Sequence, residues 1–343
     1  MQKIDNIEIK NFKSIRHQKI EGCKRINVFI GYPNVGKSNI LEALSLFEIG
    51  MINDLDFNKF LRFENYVNLF YNNSIENSIE VSLGDSERIE ISIRNKLVQV
   101  RSASRKMFFE MQIPLDSHSI NSMEHIESAS DDYDSLERLQ VKKYSFSEIK
   151  NLYPIDFSKE LISPYGENLA QVINSNQELK KNVIALFKEY NLKYATDENN
   201  NIKIVKEYKD QEVKILPYMQ IADTLQRLIF FKAAIVSNHS SILLFEEPEA
   251  HMFPPYISKF TNDIMYDENN NQFFLTTHSP FVLNDLMDNL KSDELAIYIV
   301  TYKKETGETE IHRMNEQNMH EAYQFGYDFF MNIDKFISQE QYD

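Results

Sequence analysis

The sequence predicts an α/β fold built around a phosphate-binding loop, and three segments carry that prediction. The first is an apolar strand, "RINVFI", that runs through "GYPNVGKS" (Gly31 to Ser38) into a stretch with helical periodicity. The second and third are "SILLFEEPEAH" and "QFFLTTHSP". Each is an apolar strand that delivers polar residues to its C-terminal end, where the sheets of α/β proteins bind ligands. The order strand, glycine loop, helix is the setting in which G-x-x-x-x-G-K-[ST] has physical meaning.

Taken in order, Ile4 to Ile20 alternate apolar and polar residues and read as two strands around "NFKSI". After the glycine loop, Ile40, Leu41, Leu44 and Phe47 recur at helical spacing, so Lys37 to Phe47 is a helix. Ile75 to Arg101 hold three alternating stretches with bends at Gly84 and Asn95, an antiparallel meander. Past Ser102 and Ser104 the alternation fades, and the Ser- and acid-rich run from Asp116 to Asp134 reads as an exposed excursion at the edge of an inserted lobe. From Gly166 to Tyr190 one or two amphipathic helices are expected, broken near "NSNQ". Short strands follow at Ile202 to Val205 and Val213 to Leu216, then a long helix from Ile221 to about Val236. Beyond it come the strand Ser241 to Phe245, a helix near Tyr256 to Met265, and the strand Gln272 to Thr277. Glu321 to Ile337 is an aromatic-rich helix, packed back on its own domain or open to a partner. The expected division is 1–101 and 216–343 for the two parts of one domain, with 102–215 as the lobe between them. No internal repeat and no sustained heptad pattern is present, which excludes a long coiled-coil arm.

Composition narrows the class. With 343 residues and 42% hydrophobic content the chain can bury one large core or two moderate ones. No apolar run approaches the roughly 20 residues that span a bilayer, so no membrane contact and a cytoplasmic location are expected. The single cysteine, Cys23, fits a reducing compartment and reads as a small buried thiol. A net charge of −15 argues against gripping nucleic acid over the whole surface. Lys10, Lys13, Arg16 and Lys19, with Lys142 and Lys143, form the modest basic clusters and read as solvated surface.

The chemistry follows from the three segments. In Gly31, Asn34, Val35, Gly36 and the helix start through Asn39, backbone N–H groups would face phosphates, as ATP requires. Lys37 adds a mobile positive charge, and the Ser38 hydroxyl is a magnesium ligand. Glu246 would hold the magnesium, directly or through water. Adjacent strand residues point to opposite sides, so Glu247 is free to orient and deprotonate an attacking water. His278 can hydrogen-bond the γ-phosphate or that water, and the plainer alternative is a capping or packed histidine. The loop is also similar to that of small GTPases. None of the 8 glycines has an aspartate three residues before it, however, and no N-K-x-D motif occurs.

The run of motifs "IKNFKSI", "INVFIGYPNVGKSNILEAL", "ADTLQR", "LLFEEPEAHMFP" and "LTTHSP" resembles the RecF, SMC and OLD branch of ABC-type ATPases. Its compact, Toprim-free members from bacterial anti-phage systems are the nearest in pattern. The resemblance implies a P-loop NTPase of ABC-head type: a mixed α/β sheet, an antiparallel β subdomain and a mostly helical inserted lobe. It implies magnesium-dependent ATP hydrolysis by a homodimer or larger homo-oligomer, with Walker A and B of one copy facing the signature helix of the other. It also implies a separate effector such as a nuclease, since too little sequence follows His278 for a Toprim domain. A RecF-like repair or chromosome ATPase acting on DNA directly is the alternative. The signature itself departs from the family, because Ala222, Asp223 and Thr224 stand where a Ser-Gly core is usual. Either Thr224 and Arg227 meet a γ-phosphate across an interface, or this is an amphipathic core helix.

Overall fold

The computed structural model describes residues 3–49, 57–103, 108–115, 139–147, 159–198, 201–208, 212–315, 317–319 and 329–340. Contacts divide the chain into two compact units. One is Met1–Lys143, Ser241–Glu247 and Gln272–Asp343, and the other is Tyr144–Ser240 and Pro248–Asn271.

The first unit holds two six-stranded sheets. The antiparallel sheet contains β1 (Asn6–Phe12), β2 (Ile15–Glu21), β4 (Ile79–Leu83), β5 (Glu87–Arg94), β6 (Leu97–Ala103) and β7 (Phe108–Pro114) in the order β2-β1-β4-β5-β6-β7. Alternation builds it: in β4, Ile79, Val81 and Leu83 are buried while Glu80 and Ser82 are half-buried on the other side. The expected meander of three strands gains a fourth, β7, paired with β6 from Leu97↔Pro114 to Ala103↔Phe108. Two adjacent phenylalanines at its start blur the alternation, yet Met111 and Ile113 are buried at the expected period of two.

The second sheet contains β3 (Ile26–Ile30), β8 (Gln140–Tyr144), β12 (Ser241–Glu246), β13 (Gln272–Thr276), β14 (Leu295–Tyr302) and β15 (Thr309–Arg313), ordered β15-β14-β3-β13-β12-β8. Its four central strands β14, β3, β13 and β12 are parallel. A strand with parallel neighbours on both sides is buried on both faces, so it reads as a continuous apolar run. In β3 every residue from Ile26 to Ile30 is buried. The one polar member, Asn27, is satisfied internally: Nδ2 donates to the carbonyls of Lys24 and Phe273, and Oδ1 accepts from the Lys24 N–H. Helix α1 (Lys37–Ile49) follows the glycine loop and contacts β12 and β13. Phe29 stacks on Tyr298 of β14 at 5.2 Å, part of a core shared by both sheets and α1.

In the second unit, α2 (Leu169–Ser175) and α3 (Gln177–Lys188) part at Asn176, whose side chain accepts from the N–H groups of Glu178 and Leu179. That N-cap is the physical content of the "NSNQ" break. β9 (Leu192–Thr196), β10 (Ile202–Glu207) and β11 (Val213–Pro217) form an antiparallel sheet of three strands. Helix α4 (Asp223–Ser237) buries ten of its 15 residues and packs on α5 (Pro254–Met265), which begins with two prolines at its N-terminus. This unit therefore takes in α4 and α5, whereas the lobe expected at 102–215 ended before them and included β7. The Asp116 to Asp134 stretch lies outside the described residues. So do 321–328 of the aromatic-rich C-terminal run, of which the described end forms α7 (Ile333–Glu340). The remaining helix of the first unit, α6 (Pro280–Asn289), follows β13. Among the described residues no helix is long and apolar enough to cross a membrane.

Cys23 is buried, and its thiol is pushed up to about 12 by that burial. The Tyr298 hydroxyl donates to its sulfur at 3.6 Å. Since the thiolate is the nucleophile, the folded protein should resist iodoacetamide at pH 8 and react at one site once denatured in urea. Mass spectrometry of quenched samples checks this, and rapid native alkylation would contradict the burial.

Candidate functional site

Parallel strands β3, β13 and β12 end on the same edge of the second sheet, and the three chemical segments leave the sheet there. All of Gly31 to Asn39, Glu246, Glu247 and His278 belong to the first unit.

The loop from Gly31 is held against β14. A Cβ on Gly31 would sit 2.2 Å from the Val300 carbonyl oxygen, closer than any side chain tolerates. Asn34 and Gly36 take positive φ, 63° and 101°, which curls the loop around a concave backbone. Val35 is buried and anchors it. Lys37 folds back: its Nζ donates to the carbonyls of Gly31 at 3.0 Å and Tyr32 at 2.8 Å. Desolvation lowers its pKa to about 8, opposed only by the field of Glu247. A cation desolvated against neutral carbonyls is a receptor for an anion.

Glu246 is the last residue of β12, level with Thr276 of β13. The Ser38 hydroxyl acts on its carboxylate, favouring the ionised form. Burial alone would raise the Glu246 carboxyl, but Lys143, the Ser38 hydroxyl and Arg62 outweigh it and hold the group below the usual carboxylate range. A hydroxyl beside an ionised carboxylate is a hard-oxygen pair of the kind magnesium takes. Ser38 and Glu246 therefore fit that ion.

Glu247 stands just beyond the strand, with φ 42° in the left-handed region, its N–H donating to the Thr276 carbonyl at 3.1 Å. Strand alternation was expected to separate the two carboxylates. A backbone turn at Glu247 does so instead, and a non-glycine residue there stores strain of the kind found at functional sites. Its Oε1 lies 3.4 Å from Nε2 of His278, which follows β13. Burial and the nearby Lys37 lower the His278 pKa, with Glu247 opposing, which favours the neutral imidazole.

The sequence missed the charges that hold this acidic end. Arg62 bridges two carboxylates, donating from Nη2 to Glu246 at 3.0 Å and from Nε to Glu42 at 2.6 Å. Glu42, on α1, is fully buried and also pairs with Lys13. Lys143 lies 3.5 Å from the second oxygen of Glu246, its Nζ donates to the Phe60 carbonyl, and its backbone N–H donates to the Glu48 carboxylate. Reading Lys13 and Lys143 as solvated surface is thus corrected: their side chains are only 12% and 5% exposed, because each neutralises a carboxylate of this site. Arg62 lies where no periodicity marks it.

Thr224 and Arg227 belong to the second unit. The Thr224 hydroxyl donates to the His251 carbonyl at 3.0 Å. Arg227 pairs with Asp223 and lies over the Phe146 ring at 4.5 Å.

A family described as "AAA domain, putative AbiEii toxin, Type IV TA system" matches residues 26–284, well over half of the sequence. The chain belongs to that family. Within this AAA family match lie the glycine loop, the acidic strand end and His278. An "ATP/GTP phosphatase" of Helicobacter pylori is 22% identical over 321 residues, 80% of this chain and 85% of that protein. A "DNA replication and repair protein RecF" of Thermoanaerobacter is 40% identical over only 47 residues, 14% of this chain and 13% of that one. Among solved structures, an SMC head bound to the C-winged helix domain of ScpA superposes with a TM-score of 0.53 at 14% identity, covering 93% of this chain and 99% of that one. The fold is that of an ABC-type ATPase head.

Glu42 is the testable centre of the ion network. Glu42→Gln leaves the half-buried Lys13 without its counter-charge and should lower unfolding free energy by about 3 kcal/mol, read from urea melts. A loss within about 1 kcal/mol would assign the pair to the weak class of surface ion pairs.

Proposed function

We propose that the chain binds ATP with magnesium, hydrolyses it to ADP and phosphate, and uses the cycle to close and reopen a pair of its own copies. The observation that carries this reading is the convergence of the P-loop and Glu246 at one edge of the parallel sheet, where the Ser38 hydroxyl favours the ionised Glu246 carboxylate. It joins a phosphate receptor to a hard-cation ligand, with Glu247 and His278 beside it.

The residues divide the work. Loop N–H groups and Lys37 receive the phosphates, and Ser38 and Glu246 hold the metal. When bound, magnesium neutralises charge that gathers on the phosphate oxygens during transfer. Glu247 accepts a proton from the attacking water as its oxygen bonds to the γ-phosphorus and the bond to the β,γ-bridging oxygen breaks. His278, 3.4 Å from Glu247, donates one N–H to the γ-phosphate or to that water and so fixes the line of attack. Arg62, already on Glu246, keeps the carboxylate ionised for the metal.

Thr224 contributes from the partner copy, at the start of α4, toward the γ-phosphate, and Arg227 adds charge from its place beside Asp223 and Phe146. The two-state output controls a separate effector protein, a nuclease in the simplest case, in anti-phage defence. Resemblance to compact ATPases of that kind supports this part, and the RecF likeness, confined to 47 residues, weighs less for direct action on DNA.

Three measurements test the reading. Lys37→Ala should abolish binding of a fluorescent ATP analogue. Glu247→Gln should keep the wild-type affinity while slowing phosphate release by about a hundredfold or more. With ATP and magnesium, light scattering should show Glu247→Gln trapped at twice the mass of the nucleotide-free protein. A mass indifferent to nucleotide would defeat the closure, and hydrolysis undiminished in Glu247→Gln would defeat the assigned base.

A further inference from the structure

The glycine loop is braced from behind by Thr309, which lies outside every motif, acting with Ser14 and Asn39. Thr309, the first residue of β15, is 1% exposed, and its Oγ1 donates to the Val35 carbonyl at 2.8 Å. The same oxygen lies 2.7 Å from Ser14 Oγ, in the tight turn between β1 and β2. Asn39 Nδ2 donates to that Ser14 oxygen at 2.7 Å. The Thr309 N–H also donates to the Ser14 carbonyl at 2.9 Å.

Proton accounting gives this cluster a direction. Thr309 has one hydroxyl proton and spends it on Val35, so between the two hydroxyls Ser14 must be the donor. The chain therefore runs from Asn39 N–H to Ser14 O–H to Thr309 O–H to the Val35 carbonyl. Each link polarises the next. Asn39, expected among the nucleotide-binding residues, gives one of its two amide N–H bonds to this chain.

The consequence lies in one peptide plane. In a planar trans peptide the carbonyl of one residue and the N–H of the next point in opposite directions. Pulling the Val35 carbonyl back onto Thr309 therefore aims the Gly36 N–H the other way, into the concave side of the loop where phosphate oxygens belong. Gly36 shows how close the brace is: a Cβ there would sit 2.2 Å from Thr309 Oγ1 and 2.8 Å from Ser14 Oγ.

We infer that Thr309 and Ser14 are positioning residues for nucleotide phosphate, holding the Val35–Gly36 peptide in its receiving orientation. This rests on the proposed ATP binding. The β14–β15 hairpin thereby becomes part of the nucleotide site without touching nucleotide. Hairpin packing alone would instead make Thr309 matter for stability and nothing else.

The test compares Thr309→Val, equal in size without the hydroxyl, with Thr309→Ser, which keeps it. Calorimetric titration with a magnesium complex of β,γ-imido-ATP is run at 10 °C alongside thermal melts. Thr309→Val should raise Kd about tenfold, and Thr309→Ser should restore it to within about twofold of wild type. Ser14→Ala, which removes the preceding donor, should weaken binding about threefold and keeps the inference testable if Thr309→Val fails to fold. A folded Thr309→Val that binds as wild type does, a Thr309→Ser as weak as the valine variant, or a Ser14→Ala of unchanged affinity would each overturn the brace. A wild type that binds no nucleotide, indistinguishable from Lys37→Ala, would instead overturn the ATP reading beneath it.

Discussion

Folding strips Lys37 of much of its water and gives it the carbonyls of Gly31 and Tyr32, with the field of Glu247 nearby, so its charge is held at a cost that a bound anion would relieve. Everything around the loop can be understood from that cost. An ammonium in a polar but uncharged cradle is stable only where the backbone cannot collapse onto it. Gly31 is wedged against Val300, Val35 is buried, and Gly36 is held by hydroxyls. The rigidity of the loop and the exposure of its charge to a ligand are the same property.

A second constraint sits across the site, where folding places acids together. Glu246 must stay ionised to hold a cation, yet burial pushes its carboxyl toward neutrality. Lys143, Ser38 and Arg62 reverse that push, and Arg62 is itself fixed by the buried Glu42. Removing any member leaves a charge facing the wrong way, so the network is more sensitive to loss of one partner than its net strength suggests. Helix α1 is the common element. Its first turn carries Lys37 and Ser38, its middle carries Glu42, and Glu48 near its end holds the backbone of Lys143.

Most of what the sequence revealed came from strands buried on both faces. "INVFI", "SILLFE" and "QFFLT" are apolar because parallel neighbours cover them, and the polar residues that break each run are the chemistry. Residues that act through long-range pairing left no such mark. Arg62 and Glu42 are separated by 20 residues, Arg62 and Glu246 by 184, and Ser14 and Thr309 by 295. No local pattern encodes those meetings. Lys13 and Lys143 misled for a related reason, since a lysine beside other charges in sequence resembles solvated surface until its partner arrives from elsewhere in the fold. The strand β14, "LAIYIVTY", is apolar by the same rule as β3 yet was not picked out, and its importance lies in Val300 and in the turn it makes toward Thr309, neither of which is a property of the strand pattern.

The degenerate signature can be weighed by the bonds it already makes. Thr224 donates to the His251 carbonyl, a neutral hydrogen bond worth about 1 kcal/mol net. A phosphate oxygen is a charged acceptor, and hydrogen bonds to charged groups are worth roughly twice as much. Exchange of one for the other is therefore favourable if a phosphate comes within reach, provided the freed His251 carbonyl finds water. Arg227 differs, because it would have to leave both Asp223 and the face of Phe146, and a guanidinium stacked on an aromatic ring is held by up to about 2 kcal/mol when desolvated. Two residues that the sequence offered as a pair thus differ in the bonds they already make. Thr224 can turn to a ligand by rotating one bond, whereas Arg227 acts most cheaply from where it is, as a fixed charge that keeps the start of α4 in place.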